Sequence, residues 1–495
     1  MRKLAIVTAV LACFAMPAAA QTTKDILTID LPNDAATLDP HLQWDSDSYS
    51  IYRNIFDNLL TRDAAGKVVP QIATAWRNID DTHVEFDLRT DVKFQDGTPL
   101  TADDVVFSVK RITNPTLKSS QLSQFDQISD AEALGPAKVR LTTKNPYPVL
   151  LAQLVKLSIV PKAYVERIGN QEFNVKPLGS GPYKLREWQK GSQVTLDAND
   201  NYWRGKAPFK TVIFRSVPDV STRVADLKSG RADLVRLLPP DEAVALKSDP
   251  RLNVLTVATE RVGYMFINAQ AGPTTDLRVR RAIAHAVDRK GLIDALLLGL
   301  AKPVNVIGAE PIFGYASDIA GYDYDPAKAR ALVKEAGAEG AELTFLTSPA
   351  YDRRLVEAIQ QMVNDVGLKV NVVQLDHATF LRRRQGTPTD AGQLAIGVWS
   401  CACQDADGII FPLFRSGSTW SKYSNSKYDQ AVDAARRTLD DAKRIAEYRK
   451  AYEILREDVP GIGLYQAYVS YGARKELTWR PTPNESLFVM DMSWK

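Results

Sequence analysis

Residues 73–111 read ATAWRNIDDTHVEFDLRTDVKFQDGTPLTADDVVFSVKR. Within this stretch His83-Val84-Glu85-Phe86-Asp87-Leu88-Arg89 alternates strictly, with Val84, Phe86 and Leu88 to one side. That is the pattern of a half-buried strand. A short second strand is expected at Val92-Lys93-Phe94, ending at the turn Asp96-Gly97. Pro99 cannot extend a central strand. Thr101-x-x-Asp104 then has the spacing of a capping box, opening a helix through Val105, Val106 and Val109. Alone, this is a hairpin leading into a helix, a unit common to many α/β proteins.

Working outward, Leu27-Thr28-Ile29-Asp30-Leu31 is apolar at every second position and reads as a strand. Thr37-Leu38-Asp39-Pro40-His41 forms a loop into a helix expected around Ser50–Leu60. Residues from about 61 to 174 read as an inserted α/β unit. Its second half contains the alternating Lys138–Thr143, broken by Pro146-Tyr147-Pro148. Gly179-Ser180-Gly181-Pro182-Tyr183 describes a tight backbone path, not a phosphate cradle, because the further glycines or Gly-Lys-Ser/Thr of such motifs are missing. Val262–Asn268 is expected as the strand that crosses into a second lobe. A strongly periodic helix follows Asp276, with Val279, Ala282, Ile283, Ala286 and Val287 on one face. His285 lies off that stripe, as a solvated or satisfied histidine. Asp325-Pro326 starts another helix. Residues 342–375 form a βαβ unit, and Leu394–Trp399 is a strand running into the loop Ser400–Asp407. Helices at about 427–439 and 441–457 precede Ile462–Tyr465, which returns the chain toward the first lobe.

A chain of 495 residues is too long for one compact core. Its 45% hydrophobic and 24% charged content is that of an ordinary soluble globular protein. The balance of 62 basic against 59 acidic residues argues against a nucleic-acid surface. Residues 1–20 read as a signal peptide: basic Arg2 and Lys3, a mostly apolar Leu4–Met16, and the small residues Pro17-Ala18-Ala19-Ala20 before Gln21. Cleavage after Ala20 is expected, with export to the periplasm; lipidation at Cys13 would leave an unusually short apolar stretch. No apolar run beyond the N-terminus is long enough to span a membrane.

Three blocks carry a resemblance. Pro70…Trp76, Phe86-x-Leu88-Arg89 and Val92-x-Phe94-x-Asp96-Gly97-x-Pro99-x-Thr101-Ala102-x-Asp104-Val105 form the first. Gly179-Ser180-Gly181-Pro182-Tyr183 with Asn199-x-x-Tyr202-Trp203 is the second, and Leu277–Ala282 through Asp288-Arg289 the third. Together they resemble the family-five extracytoplasmic solute-binding proteins, the dipeptide-, oligopeptide- and nickel-binding receptors of bacterial ABC importers. The resemblance implies a two-lobed α/β fold of the type II periplasmic-binding-protein class, with an extra subdomain and a ligand cleft between the lobes. It suggests 21–60, 175–265 and 469–495 as the core of lobe I, 61–174 as its inserted subdomain, and 266–468 as lobe II. It also implies a peptide or peptide-like ligand, permease subunits in the inner membrane as partners, a monomer, no nucleic acid, no cofactor and no chemistry of its own.

Catalytic signals are absent from the sequence. His41, His83, His285 and His377 are far apart and have no metal-ligand spacing. Ser424-x-x-Lys427 lacks the companion motifs of serine β-lactamases, so an exported hydrolase is the disfavoured alternative. The candidate binding loop is Trp399-Ser400-Cys401-Ala402-Cys403-Gln404-Asp405-Ala406-Asp407, which leaves a strand end where α/β sheets hold ligands. In the peptide-binding relatives the tryptophan stacks near the ligand and an aspartate three positions later pairs with its ammonium; here that position is Ala402. Asp405 or Asp407 could take the role by a shifted loop path, and both also fit a solvated turn. Cys401 and Cys403 could bond and stiffen a pocket wall or remain a buried thiol pair; a metal site would need two further ligands. Arg353 or Arg354 could meet a ligand carboxylate or be a solvated helix residue. Tyr465 and Tyr468 fit aromatic pocket walls or core packing equally. A receptor for an opine-like conjugate, an oligosaccharide or a metal chelate is the alternative within binding proteins.

Overall fold

The computed structural model describes residues 24–63, 66–401 and 403–495. The signal-peptide reading and Ala402 lie outside the described residues. One mixed sheet runs through the molecule in the order Lys369–Gln374, Glu342–Thr347, Leu394–Trp399, Leu252–Ile267, Gly461–Arg474, Leu234–Leu238, Ile26–Leu31, Thr211–Ser216, Gln193–Ala198, Tyr183–Gln189. The βαβ unit is present: Glu342–Thr347 and Lys369–Gln374 pair in parallel, with the helix Arg353–Asn364 between them in the chain.

Buried side chains gather into separate cores. One joins Leu27–Phe56 to Val160, Phe214 and Val469–Met492. A second fills the inserted unit, between Leu59 and Ile159. Two more flank the far half of the sheet, around Val262–Phe266 with Leu346–Leu455, and around Met265–Ile267 with Val279–Leu464. The inserted unit has its own antiparallel sheet, Ala73–Asn78, His83–Leu88, Lys138–Thr143 and Ile128–Ala133. Its helix Ala102–Ile112 carries the expected capping box of Thr101 and Asp104.

Two expected elements differ. The helix expected over Ser50–Leu60 runs instead over Ser46–Tyr52, capped by the Asp45 side chain on Asp47 N and Ser48 N. Past Tyr52 the buried polar Asn54, Asp57 and Asn58 turn to partners elsewhere in the chain, Asn54 to Leu487 O as well as back to Ser50 O, Asn58 to Val155 O and Asp57 to Gln71 and Ser180. Val92–Phe94 is no ladder strand; Phe94 N to Thr98 O (2.8 Å) and Leu100 N to Val92 O (3.0 Å) close it into a tight loop around Gly97, at φ +91°. Glycine suits that left-handed turn.

Asp57 explains why three distant motifs occur together. Its carboxylate accepts from Gln71 Nε2 (2.8 Å), Ser180 Oγ (2.9 Å), Tyr202 OH (3.0 Å) and Trp203 Nε1 (3.0 Å). Burial raises its pKa, and the four donors pull against that rise. The glycines beside Ser180 are required by close approach: a Cβ on Gly181 would lie 2.6 Å from the Ile55 carbonyl carbon, and one on Gly179 would overlap the Ile55 oxygen.

The strand into the second lobe is longer than expected, covering all of Leu252–Ile267. This outgoing strand and the returning strand Gly461–Arg474 pair antiparallel along nearly their whole lengths. Residues beyond the returning strand come back to lobe I. There Asn54 bonds Leu487 O and Val489 N (both 2.9 Å), and the Trp494 indole donates to Lys24 O (2.9 Å).

Replacing Asp57 by alanine strands four donors in the interior. We expect Asp57→Ala to lower the unfolding free energy by about 3 kcal/mol or more, read from urea denaturation. A loss below about 1 kcal/mol would mean the donors find other acceptors.

Candidate functional site

Where the outgoing strand leaves lobe I its register with the returning strand slips, between Ala258 and Val262. The slip is held by side chains: Thr259 Oγ1 donates to Ala467 O (2.8 Å), and Gln466 Nε2 donates to Thr259 O (2.8 Å). Glu260 stands in this irregular segment, two residues before Val262; from Val262 one strand face continues through Tyr264 and Phe266.

The loop after Leu394–Trp399 meets Glu260 from lobe II. Trp399 pairs with Val262. Its indole donates to Gly408 O (2.8 Å) and sits edge-on to Trp420. Cys401 and Cys403 are joined by a disulfide. Both sulfurs press on Gly408, where a Cβ would overlap Cys401 Sγ. Cys403 O accepts from Arg62 Nη2 of the inserted unit (2.7 Å), and Gln404 Nε2 donates to Glu260 Oε2 (3.0 Å). The loop is thus clasped from two sides.

The other sequence candidates sit elsewhere. Asp405 is buried and fully engaged inside lobe II: Arg444 Nη2 (2.6 Å), Tyr448 OH (2.8 Å) and Asp407 N (3.0 Å) all donate to it. The carboxylate faces the helix Asp441–Asp458, so a role as ammonium anchor by a shifted loop path has no support from this geometry. Asp407 pairs with Arg436 (3.1 Å), and burial raises its pKa to about 6. Arg353 is exposed and pairs with Glu357 one turn along (2.6 Å), the geometry of a solvated helix residue. The Tyr465 ring lies over Gly263, whose absent Cβ leaves the space it fills. Tyr468 lies in the same returning strand, opposite Ala258. His285 is buried and satisfied, its Nδ1 2.8 Å from Asp323 O.

Several groups that the sequence did not single out converge on Glu260. It is 3% exposed, and burial raises its pKa to about 7, opposed first by the Gln404 amide. Lys156, also buried, has its pKa lowered by burial to about 8; it bonds Gln124 and lies 5.9 Å from the Trp44 ring centre. Trp44 Nε1, Arg62 Nε and Gln404 Oε1 are buried without a hydrogen-bond partner. Further along the same strand face, the Arg384 guanidinium lies 3.4 Å from the Phe266 ring centre, and neither Nη has a partner. Lys422, buried beside it, has its pKa lowered to about 8, by burial first and Arg384 second. Neither cation makes an ion pair among the described residues. Buried polar groups ordinarily find partners, so this strand face carries an acid at one end, cations at the other, and unspent hydrogen-bonding capacity. Among the described residues no cluster of three or more His, Cys, Asp or Glu side chains is placed to hold a metal ion.

The sequence model described as "Bacterial extracellular solute-binding proteins, family 5 Middle" matches residues 67–421. The chain is 28% identical over 470 residues to the dipeptide-binding protein of Escherichia coli (strain K12), covering 88% of this chain and 87% of the relative. It is 28% identical over 495 residues to the glutathione-binding protein GsiB of Shigella dysenteriae serotype 1, covering 96% and 94%. Among solved structures it is similar to the periplasmic binding protein DppA of Helicobacter pylori in complex with the peptide STSA, with a TM-score of 0.79, 25% identity, and coverage of 95% of this chain and 98% of that one. No helix of the described residues is long and apolar enough to cross a membrane.

The raised pKa of Glu260 has a sign that can be measured. Folding favours the protonated acid, so its contribution is present below the unfolded pKa of about 4.5 and is lost as pH rises to about 7. Melting temperatures of the parent and Glu260→Gln should therefore diverge over that range, with the variant gaining relative to the parent as pH rises. A difference constant from pH 4.5 to 7.5 would contradict this.

Proposed function

The chain belongs to family 5 of the bacterial extracellular solute-binding proteins, and from that premise we propose that it captures a peptide or peptide-like solute between two lobes and hands it to the permease of an ABC importer. The observation that carries the reading is the strand face from Glu260 to Phe266. Glu260 would meet the positive end of a zwitterionic solute and Arg384 its carboxylate, each gaining an opposite charge that no described ion pair supplies. The Trp399 loop, stiffened by its disulfide, forms the wall between them. The paired outgoing and returning strands act as the hinge, with the register slip at Ala258–Val262 as the place where closure bends.

In this reading the lobes divide as the sequence suggests, with 61–174 inserted in lobe I and 266–468 forming most of lobe II. The receptor works as a monomer in the periplasm after removal of residues 1–20, and it leaves its solute chemically unchanged. A second reading has one specific support. Asp405 is consumed by Arg444, and Ala402 stands where the peptide-binding relatives carry an aspartate. A solute with a blocked or absent ammonium, such as an opine-like conjugate, fits that loop as well.

Native mass spectrometry of protein from its own host identifies a co-purifying solute. Titration of di- to tetrapeptides, followed by tryptophan fluorescence, then separates the readings. We expect Glu260→Gln to weaken free-ammonium peptides ~10–100-fold relative to their N-acetylated forms. Asp405→Asn should instead lower the unfolding free energy by about 2–5 kcal/mol and affect both peptide forms alike. A co-purifying sugar, with no response to any peptide, would overturn the peptide reading.

A further inference from the structure

Beside Gln404 lies a cavity of about 500 Å³ that the Glu260–Arg384 face does not include. Four arginines line it: Arg53, Arg62, Arg204 and Arg480. None makes an ion pair among the described residues. Two are held by aromatic faces. The Arg53 guanidinium lies 4.6 Å from the Phe488 ring centre and 5.4 Å from that of Tyr49. Arg204 lies 5.6 Å from Phe488 and 5.9 Å from Trp203. Arg53 Nη1 donates to Ser486 Oγ of the same wall; a guanidinium held over an aromatic ring can still offer its other N–H groups to a carboxylate. Asp63 and Asp491 share the wall, so cations remain in excess.

The chamber adjoins the acid end of the proposed site. Gln404 belongs to both: its Nε2 is spent on Glu260, while its buried Oε1 has no partner. Arg62 also belongs to both, with Nη1 on Gly66 O, Nη2 on Cys403 O and a buried, unpartnered Nε. A solute whose ammonium sits at Glu260 would have the substituent on its first residue beside this chamber.

We infer that the chamber is an anion subsite for a side-chain carboxylate on the first residue, so that the receptor selects acid-first peptides or peptide-like solutes. This rests on the peptide reading above. Glu-Ala-Ala and Gln-Ala-Ala both carry a free ammonium and differ in one carboxylate. The parent should bind the first ~10-fold or more tightly, the size of one charge-assisted hydrogen bond. In Arg204→Gln/Arg480→Gln, which alters two exposed side chains, that preference should vanish while Gln-Ala-Ala binding stays unchanged. Equal binding of the two peptides by the parent, or a preference that survives in the double variant, overturns the inference. Glutarate probes the chamber without the cleft, through thermal stabilisation of the parent that is lost in the double variant. If neither tripeptide binds but glutarate behaves so, the peptide reading fails and the anion site stands. If glutarate has no effect and neither tripeptide binds, both fail.

Discussion

A single buried carboxylate ties the chain around residues 57 and 71 to the chain around residues 180 and 202. Asp57 sits where the chain leaves the lobe I core, and its four donors come from residues 71, 180, 202 and 203. An ionised side chain is expensive to bury unless its lone pairs are filled, so these donors form a constraint that cannot be met piecemeal. The glycines around Ser180 exist because the backbone must come within contact of Ile55 to present that serine. Gln95, from the tight loop before the first helix of the insert, reaches the same segment, donating to Ile55 O (3.0 Å) and Tyr183 O (2.7 Å). Sequence blocks around residues 57, 71–95, 180 and 202 are thus one structural device.

The second lobe solves a related problem in the opposite way. Its loop after Trp399 is anchored from behind, by the Asp405–Arg444–Tyr448 cluster, and stiffened in front by the disulfide packed on Gly408. What remains toward the first lobe is backbone carbonyl and amide chemistry at Cys403 and Gln404, answered by Arg62 and Glu260. The acid that answers Gln404 therefore comes from the strand Leu252–Ile267 and not from the loop.

Local pattern made most of the elements legible: the His83–Leu88 strand, the capping box at Thr101, the βαβ unit of 342–375, and the helices flanking residue 440. The early stop of the first helix was hidden because its cause, Asp57, finds partners as far as 146 residues away. The loop after Trp399 was visible as a strand end. Glu260 was not, since Thr259-Glu260-Arg261 reads as a polar interruption of a strand, and its partner Gln404 lies 144 residues on. Arg384 is the last of three consecutive arginines in the helix His377–Gln385; only the packing of Phe266 against it reveals that the third turns inward. The chamber beside Gln404 draws its arginines from residues 53 to 480, a spread that no local pattern can announce.

The return of the chain to its starting lobe has a consequence for the order in which the molecule is assembled. The strand Ile26–Leu31 is made first, yet the sheet edge beyond Leu234–Leu238 stays open until Gly461–Arg474 arrives. Asn54 waits still longer, for the backbone of Leu487 and Val489. A chain emerging from a ribosome amino-end first can finish the second lobe's sheet only together with the closing strand of the first. Contacts spanning more than 400 residues carry a large loop-closure cost and form late. The polypeptide is therefore kept from locking into its final shape until Gly461–Arg474 and the segment through Val489 are in place, a delay written into the strand order itself.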